Sequence, residues 1–229
     1  MIDFDCERYH DIHDYIRLIA ILRGEDGCPW DRVQTHESIR QNCLEEAYEV
    51  CEAIDEKDPD HLREELGDLL MQIIFHAGIE ADAGRFDFND VCDASCRKLI
   101  FRHPHVFGDR ELNKGAEAAE VWEKAKRVEH GQASTADAID GVAKALPSLW
   151  RAQKMLKKAA AVGYTPERDF VGCAKAFSEC DATDAEARFG ELILAAAAAA
   201  TEKGVDAEKA AQHGCDNFAD EYRKQERDT

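Results

Sequence analysis

Residues 58–84 read DPDHLREELGDLLMQIIFHAGIEADAG, and the reading of this stretch decides the fold. Asp58 offers a side-chain acceptor to the free N–H groups of a first helical turn. Pro59 suits that turn because its missing N–H would have no partner there. Leu66, Leu69, Leu70, Ile73 and Ile74 then recur at helical spacing, which predicts a helix to about Ala83, stopped by Gly84. At about 1.5 Å rise per residue such a helix is ~36 Å long, enough to run the length of a bundle. Asp68 falls inside the apolar stripe, where an unpaired charge would cost several kcal/mol, so a compensating cation is expected.

The same periodicity extends in both directions. Upstream, Ile12, Tyr15, Ile16, Ile19 and Leu22 form one helical stripe, ended by Gly24 and Gly27-Cys28-Pro29. Ser38-Ile39-Arg40-Gln41 reads as a capping box for a second helix running to about Asp55. Downstream, helices are predicted over Asp90–Ile100 and Glu117–His130, followed by the small, polar stretch Gly131–Asp137. The pattern then restarts with Leu149–Ala161, Glu186–Ala200 and Glu208–Gln225. Gly67-Asp68-Leu69-Leu70 returns faintly as Gly190-Glu191-Leu192-Ile193, and no alternating strand is present. The chain is therefore read as all-α, with two related helical units in tandem: 1–130, a linker over 131–137, and 138–229.

Composition narrows the function. Some 45% of residues are apolar and 34% charged, as in a soluble globular chain. The net charge of −19 excludes a surface that wraps nucleic acid or lies on an anionic membrane. The start, Met1-Ile2-Asp3-Phe4-Asp5-Cys6, lacks the basic and apolar segments of a secretion signal, so the protein is expected in the cytoplasm. Nine cysteines without C-x-x-C spacing read as small buried hydrophobes and free thiols. His103 and His105 flank Pro104 without a second ligand pair nearby, which argues against zinc.

Chemistry concentrates in Glu45-Glu46-Ala47-Tyr48-Glu49 and Glu64-Glu65-Leu66-Gly67-Asp68. Residues three apart lie on one helix face, so Glu46 pairs with Glu49 and Glu65 with Asp68. The interval between the motifs suffices to end one helix and begin an antiparallel partner. Packed together, the two faces would aim four carboxylates at one point, a set of hard oxygen donors suited to Mg²⁺ or Mn²⁺. Acidic runs are more often solvated faces. Against that stands Asp68 in its stripe, and Tyr48 and Cys51 are expected to hold the Glu46 helix against a core.

On these residues the first half resembles the MazG family of all-α nucleotide pyrophosphohydrolases. Gly27-Cys28-Pro29-Trp30-Asp31 with Gln34-Thr35 is similar to its N-terminal signature. Glu45-Glu46-x-x-Glu49 and Glu65-x-x-Asp68 are similar to its metal motifs. Arg102-His103-Pro104-His105-Val106-Phe107 and Trp122-x-x-x-Lys126 resemble two further family segments. The resemblance implies a homodimer with four-helix-bundle cores and conversion of a nucleoside triphosphate to monophosphate and pyrophosphate. It implies Mg²⁺, with Mn²⁺ as a substitute, on Glu46, Glu49, Glu65 and Asp68, and water activation by Glu45 or Glu46. Lys98 and Arg102 would hold the triphosphate at an exposed pocket, and Trp122 and Lys126 the base or phosphates; Trp30 would pack its own loop.

The second half resembles a shortened, altered copy. Aligning Gly67 with Gly190 sets Arg188 opposite Glu65 and Glu191 opposite Asp68, while Asn217 and Glu221 replace Lys98 and Arg102. Asp181 and Asp184 keep a three-residue spacing but lie too close to Arg188 for two separate helices. This unit is expected to lack chemistry. Two rival readings share the pattern: a narrower enzyme acting on dUTP, dCTP or modified nucleotides, and a non-catalytic helical dimerisation or regulatory protein. A di-iron bundle would need Glu-x-x-His, and neither Glu46 nor Glu65 has His three residues later.

Overall fold

The structure, a computed structural model, describes residues 4–108, 115–129, 131, 134–165 and 168–227. Among them are twelve helices and no strand. The chain divides into two compact units, Met1–Asn113 and Lys114–Thr229. The first holds α1 (Ile12–Arg23), α2 (Pro29–Arg32), α3 (Arg40–Glu56), α4 (Pro59–Asp82), α5 (Phe88–Arg102) and α6 (Pro104–Phe107). The second holds α7 (Gly115–Glu129), α8 (Thr135–Asp140), α9 (Ser148–Ala160), α10 (Phe170–Glu179), α11 (Ala185–Glu202) and α12 (Ala207–Arg227). In this division α7 falls with the second unit, although the sequence groups it with the first. His130, and Gln132 and Ala133 of the expected linker, lie outside the described residues. The linker's far end is helical: Ser134 and Asp137 exchange reciprocal hydrogen bonds of 3.1 and 2.7 Å that cap α8.

Helix α4 forms as its sequence dictates. Asp58 accepts from the N–H groups of Asp60 and His61 at 2.9 and 3.2 Å, Pro59 opens the first turn, and Gly84 adopts φ +67° beyond the end. Lys57, at φ 61°, closes α3 in the left-handed region and reverses the chain, so α3 packs along α4 as a helical hairpin. Helix α1 lies on α4 too, and Ile19, Ile74 and Phe75 meet Ile39 in a buried core flanked by Tyr15, Ile16, Leu70 and Met71. Burial of these side chains stabilises by roughly 1.5–3 kcal/mol each.

Several expectations change here. Ser38 does not cap α3; its hydroxyl donates to Gln34 Oε1 at 2.6 Å and exchanges bonds with Thr35, closing a turn one step earlier. Tyr48 is 44% exposed and Cys51 is exposed, because α4 covers only one face of α3. Leu66 and Ile73 lie on an open face of α4, so Asp68 sits half-buried at the edge of the core, not within it. Trp30 is 61% exposed instead of packing its loop. The cysteines are free thiols, but none is buried.

In the second unit α11 packs against α9 and α10. Its alanine run permits close approach: Ala195 and Ala197 are fully buried, as are Ala152 and Ala159 of α9 in large part. Gln153 donates to Thr201 and to the Val205 carbonyl and accepts from the Ala207 N–H, tying α12 to α9. Among the described residues no helix is long and apolar enough to cross a membrane.

Candidate active site

The hairpin of α3 and α4 brings the two acidic motifs together. Carboxylate oxygens of Glu46, Glu49 and Glu65 lie within 4.8 Å of one another, the one such gathering of His, Cys, Asp or Glu found among the described residues. Glu46 and Glu65 are half-buried and Glu49 is exposed. Asp68, expected as a fourth member, is not in that group, though its charge acts on Glu46. The Glu46 carboxyl is held above its ordinary value, first by burial, then by the charge of Asp68 and by Glu49 and Glu65. Burial first, then the charges of Asp68 and Glu46, push the Tyr15 phenol up. Burial and neighbouring like charges both disfavour the ionised form of Glu46. The donor set fits a hard divalent cation: oxygens about 2.1 Å from an octahedral ion stand up to ~4.2 Å apart, so a modest contraction suffices.

Three neighbours escaped the sequence reading. Gln72, almost fully buried on α4, donates through Nε2 to Glu46 Oε1 at 3.4 Å. The Tyr15 hydroxyl donates to the Gly67 carbonyl at 3.1 Å, between the two α4 carboxylates. His61 bridges Glu56 (2.8 Å) and Glu65 (3.1 Å), and the Glu56 hydrogen bond chiefly holds its imidazole above the ordinary value. The signal was available. His61, Glu65, Asp68, Gln72, His76 and Glu80 recur at intervals of three or four residues, a polar stripe along α4.

The far end of that stripe is a separate cluster. His36 places Nδ1 at 2.7 Å from Nδ1 of His76 and Nε2 at 2.6 Å from Glu80 Oε1. Arg85 donates to both Glu80 oxygens, at 2.5 and 2.7 Å. Arg85 first, then His36, hold the Glu80 carboxyl down to about 2. Burial and the neighbouring His36 lower the His76 imidazole.

The remaining expected residues are placed as follows. Glu45, next to Glu46, is exposed and stands outside the gathered group. Lys98 is exposed on α5, whereas Arg102 at its last turn is only 7% exposed. Of the pair that the resemblance sets at an exposed pocket, only Lys98 is exposed. On α7, Lys126 lies 4.9 Å from the ring centroid of Trp122, both half-buried. In the second unit, Arg188 pairs with Glu191 at 3.0 Å. Asp181 and Asp184 occupy the turn between α10 and α11, where Asp181 accepts from Thr183, and Asn217 and Glu221 are exposed on α12.

Comparison with known proteins places these features in a family. The MazG nucleotide pyrophosphohydrolase domain matches residues 34–107, which span both acidic motifs. The chain is similar to a nucleoside triphosphate pyrophosphohydrolase of Escherichia coli (strain K12), with 39% identity across 92% of this chain and 86% of that protein. It is also similar to the nucleoside triphosphate pyrophosphohydrolase/pyrophosphatase MazG of Thermotoga maritima, with 34% identity across 93% of this chain and 84% of that protein. A crystal structure of a MazG-related protein from Thermotoga maritima is 28% identical, covering 48% of this chain and 97% of that one, at a TM-score of 0.41. That score leaves the fold to be read from the helices themselves. These two likenesses, each over more than nine-tenths of the chain, carry the conclusion that the chain belongs to the MazG nucleotide pyrophosphohydrolase family.

Proposed function

We propose that this chain hydrolyses nucleoside triphosphates of the cytoplasmic pool to nucleoside monophosphate and pyrophosphate, using Mg²⁺ or, in its place, Mn²⁺. The observation that carries the reading is the convergence of Glu46, Glu49 and Glu65, with Asp68 beside them, on one small volume. A divalent cation bound there supplies neutralisation of phosphate charge and a fixed orientation of the triphosphate. The chain's own residues do the rest. Gln72 and His61 hold Glu46 and Glu65 in place, and Tyr15 holds the Gly67 carbonyl between the two α4 carboxylates. Glu45 or Glu46 would orient the attacking water and accept its proton. Lys98 and Arg102 on α5 serve the triphosphate, and the Trp122–Lys126 stack offers a ring face and a positive charge to the nucleotide.

The working unit is a homodimer. Leu44, Tyr48, Leu66, Ile73, Leu99 and Ile100 leave apolar surface open on α3, α4 and α5, an arrangement that a second copy would cover. The second unit serves as scaffold or regulator. The test is a panel of nucleoside triphosphates with Mg²⁺, products resolved by chromatography. Monophosphate and pyrophosphate are expected together; orthophosphate as first product overturns the proposed cleavage position.

A further inference from the structure

We propose that Gln72 is a positioning residue for Glu46, and that its amide sets the affinity of the carboxylate group for its cation. This rests on the metal reading above and extends it to a residue outside both acidic motifs.

The argument begins with the helix period. Gln72 follows Asp68 by four residues and Glu65 by seven, so all three share the face of α4 that meets α3. Its neighbours in sequence, Met71 and Ile74, join the apolar core, but Gln72 itself keeps a polar amide at 4% exposure. A buried amide needs a partner, and the one observed is Glu46 Oε1 at 3.4 Å. Glu46 has its carboxylate within 4.8 Å of those of Glu49 and Glu65. Free to rotate, it would swing away from those charges. A neutral donor anchored on the facing helix opposes that swing and leaves the second oxygen for the cation. An ammonium or guanidinium there would compete with the metal; an amide does not.

The anchor is itself held. One turn further along the stripe, His76 meets His36, and Glu80 binds His36 and Arg85 at 2.5–2.7 Å. His36 belongs to the segment that leads into α3, so this cluster fixes the same two helices beyond Gln72. Tyr15 fixes α4 on the other side through the Gly67 carbonyl. The α3–α4 spacing at Gln72 is thereby set independently of the metal.

The test compares Gln72→Met and Gln72→Leu with wild type in the full chain. Mg²⁺ and Mn²⁺ binding is read by calorimetry without nucleotide, melting is followed by circular dichroism, and turnover is titrated against Mg²⁺. Both variants lose the N–H donor while keeping apolar bulk. The expected result is a dissociation constant raised about tenfold or more in both, the usual effect of losing a partner of a metal ligand. The melting midpoint should hold in metal-free buffer, and turnover should recover as Mg²⁺ is raised. Metal affinity within twofold of wild type in either variant overturns the role of Gln72 while leaving the metal site intact. Turnover that excess Mg²⁺ fails to restore, with a lowered midpoint, makes Gln72 a packing residue and also overturns the proposal. A wild-type chain that binds neither cation overturns the metal reading on which it stands.

Discussion

Replacing Glu46 with Gln sets two effects against each other, and their signs differ with and without metal. Each pair of ionised carboxylates in the gathered group is no more than 4.8 Å apart. At that distance a pair repels by about 0.9 kcal/mol in a water-like dielectric and about 3.5 kcal/mol at an effective dielectric of 20. Glu46 takes part in two of the three pairs, so the substitution removes at least about 1.7 kcal/mol. Glu49 is exposed, which favours the lower end, and about 2 kcal/mol corresponds to a melting midpoint raised by roughly 4–8 °C in a chain of this size. The pH dependence follows from the raised Glu46 carboxyl. A carboxyl raised in the folded state costs no stability below its unfolded value of 4.5, and the cost grows as pH rises through the folded value. The advantage of Glu46→Gln should therefore vanish in acid and be complete near pH 8. Millimolar Mg²⁺ should reverse the order, since wild type gains stability by binding and the variant gains little. The assay is a set of thermal melts in EDTA and in Mg²⁺ at both pH values. A variant that melts at or below wild type in EDTA at pH 8 refutes the reasoning.

Glu49→Gln and Asp68→Asn should each leave less than about a tenth of wild-type turnover at saturating Mg²⁺, with unchanged helicity; more than that is under ~1.4 kcal/mol of barrier and removes the residue from the metal set. Lys98→Ala should raise KM for the triphosphate without lowering the melting midpoint, whereas buried Arg102→Ala should lower the midpoint as well; equal melting losses would make both structural. Glu80, held down to about 2 by Arg85 and His36, contributes stability that is present above 4.5 and lost as pH falls toward 2. Glu80→Gln should flatten that acid limb of the melting curve, and an unchanged limb counts against the cluster. Neutralising Asp181, Asp184, Glu186 and Glu191 together should leave turnover near wild type, and a loss above tenfold would return chemistry to the second unit.

Much of the fold was legible because helices advertise themselves by period and by caps. Asp58-Pro59 and Gly84 bounded α4 within a residue, and the stripes of α1, α9, α11 and α12 did nearly as well. Short helices were not legible: α2 and α6 span four residues each, too few for a period, and α8 hides in a stretch whose composition reads as linker. Ser38 misled because the hydroxyl that caps a helix serves a tight turn equally well, and Thr35 was nearer. At the site, the spacing was enough to foresee that Glu46, Glu49 and Glu65 come within 4.8 Å of one another, whereas Asp68, expected with them, is not in that group. Burial was not foreseeable residue by residue. Arg102 lies inside while Lys98, four positions earlier, lies outside, a distinction set by what surrounds the helix end and not by its own period.

The two units show that scaffold and chemistry are specified by different residues. Gly67 and Gly190 sit within long helices followed by closely similar apolar pairs, so the helical frame persists in both. Gathering carboxylates needs acidic residues on two facing helices, and among the described residues such a group is found on the α3–α4 hairpin. In the second unit Asp181 and Asp184 fall in the turn before α11, where local N–H and hydroxyl groups satisfy Asp181. Glu191 is satisfied by Arg188 of its own helix, at 3.0 Å. The gathered group on α3 and α4 differs: Glu65 meets His61 at 3.1 Å, while Glu46 is held up by burial and by the charges of Asp68, Glu49 and Glu65. On the proposed reading, a divalent cation would relieve this crowding of like charge, and binding of Mg²⁺ is what would distinguish a site from an acidic surface.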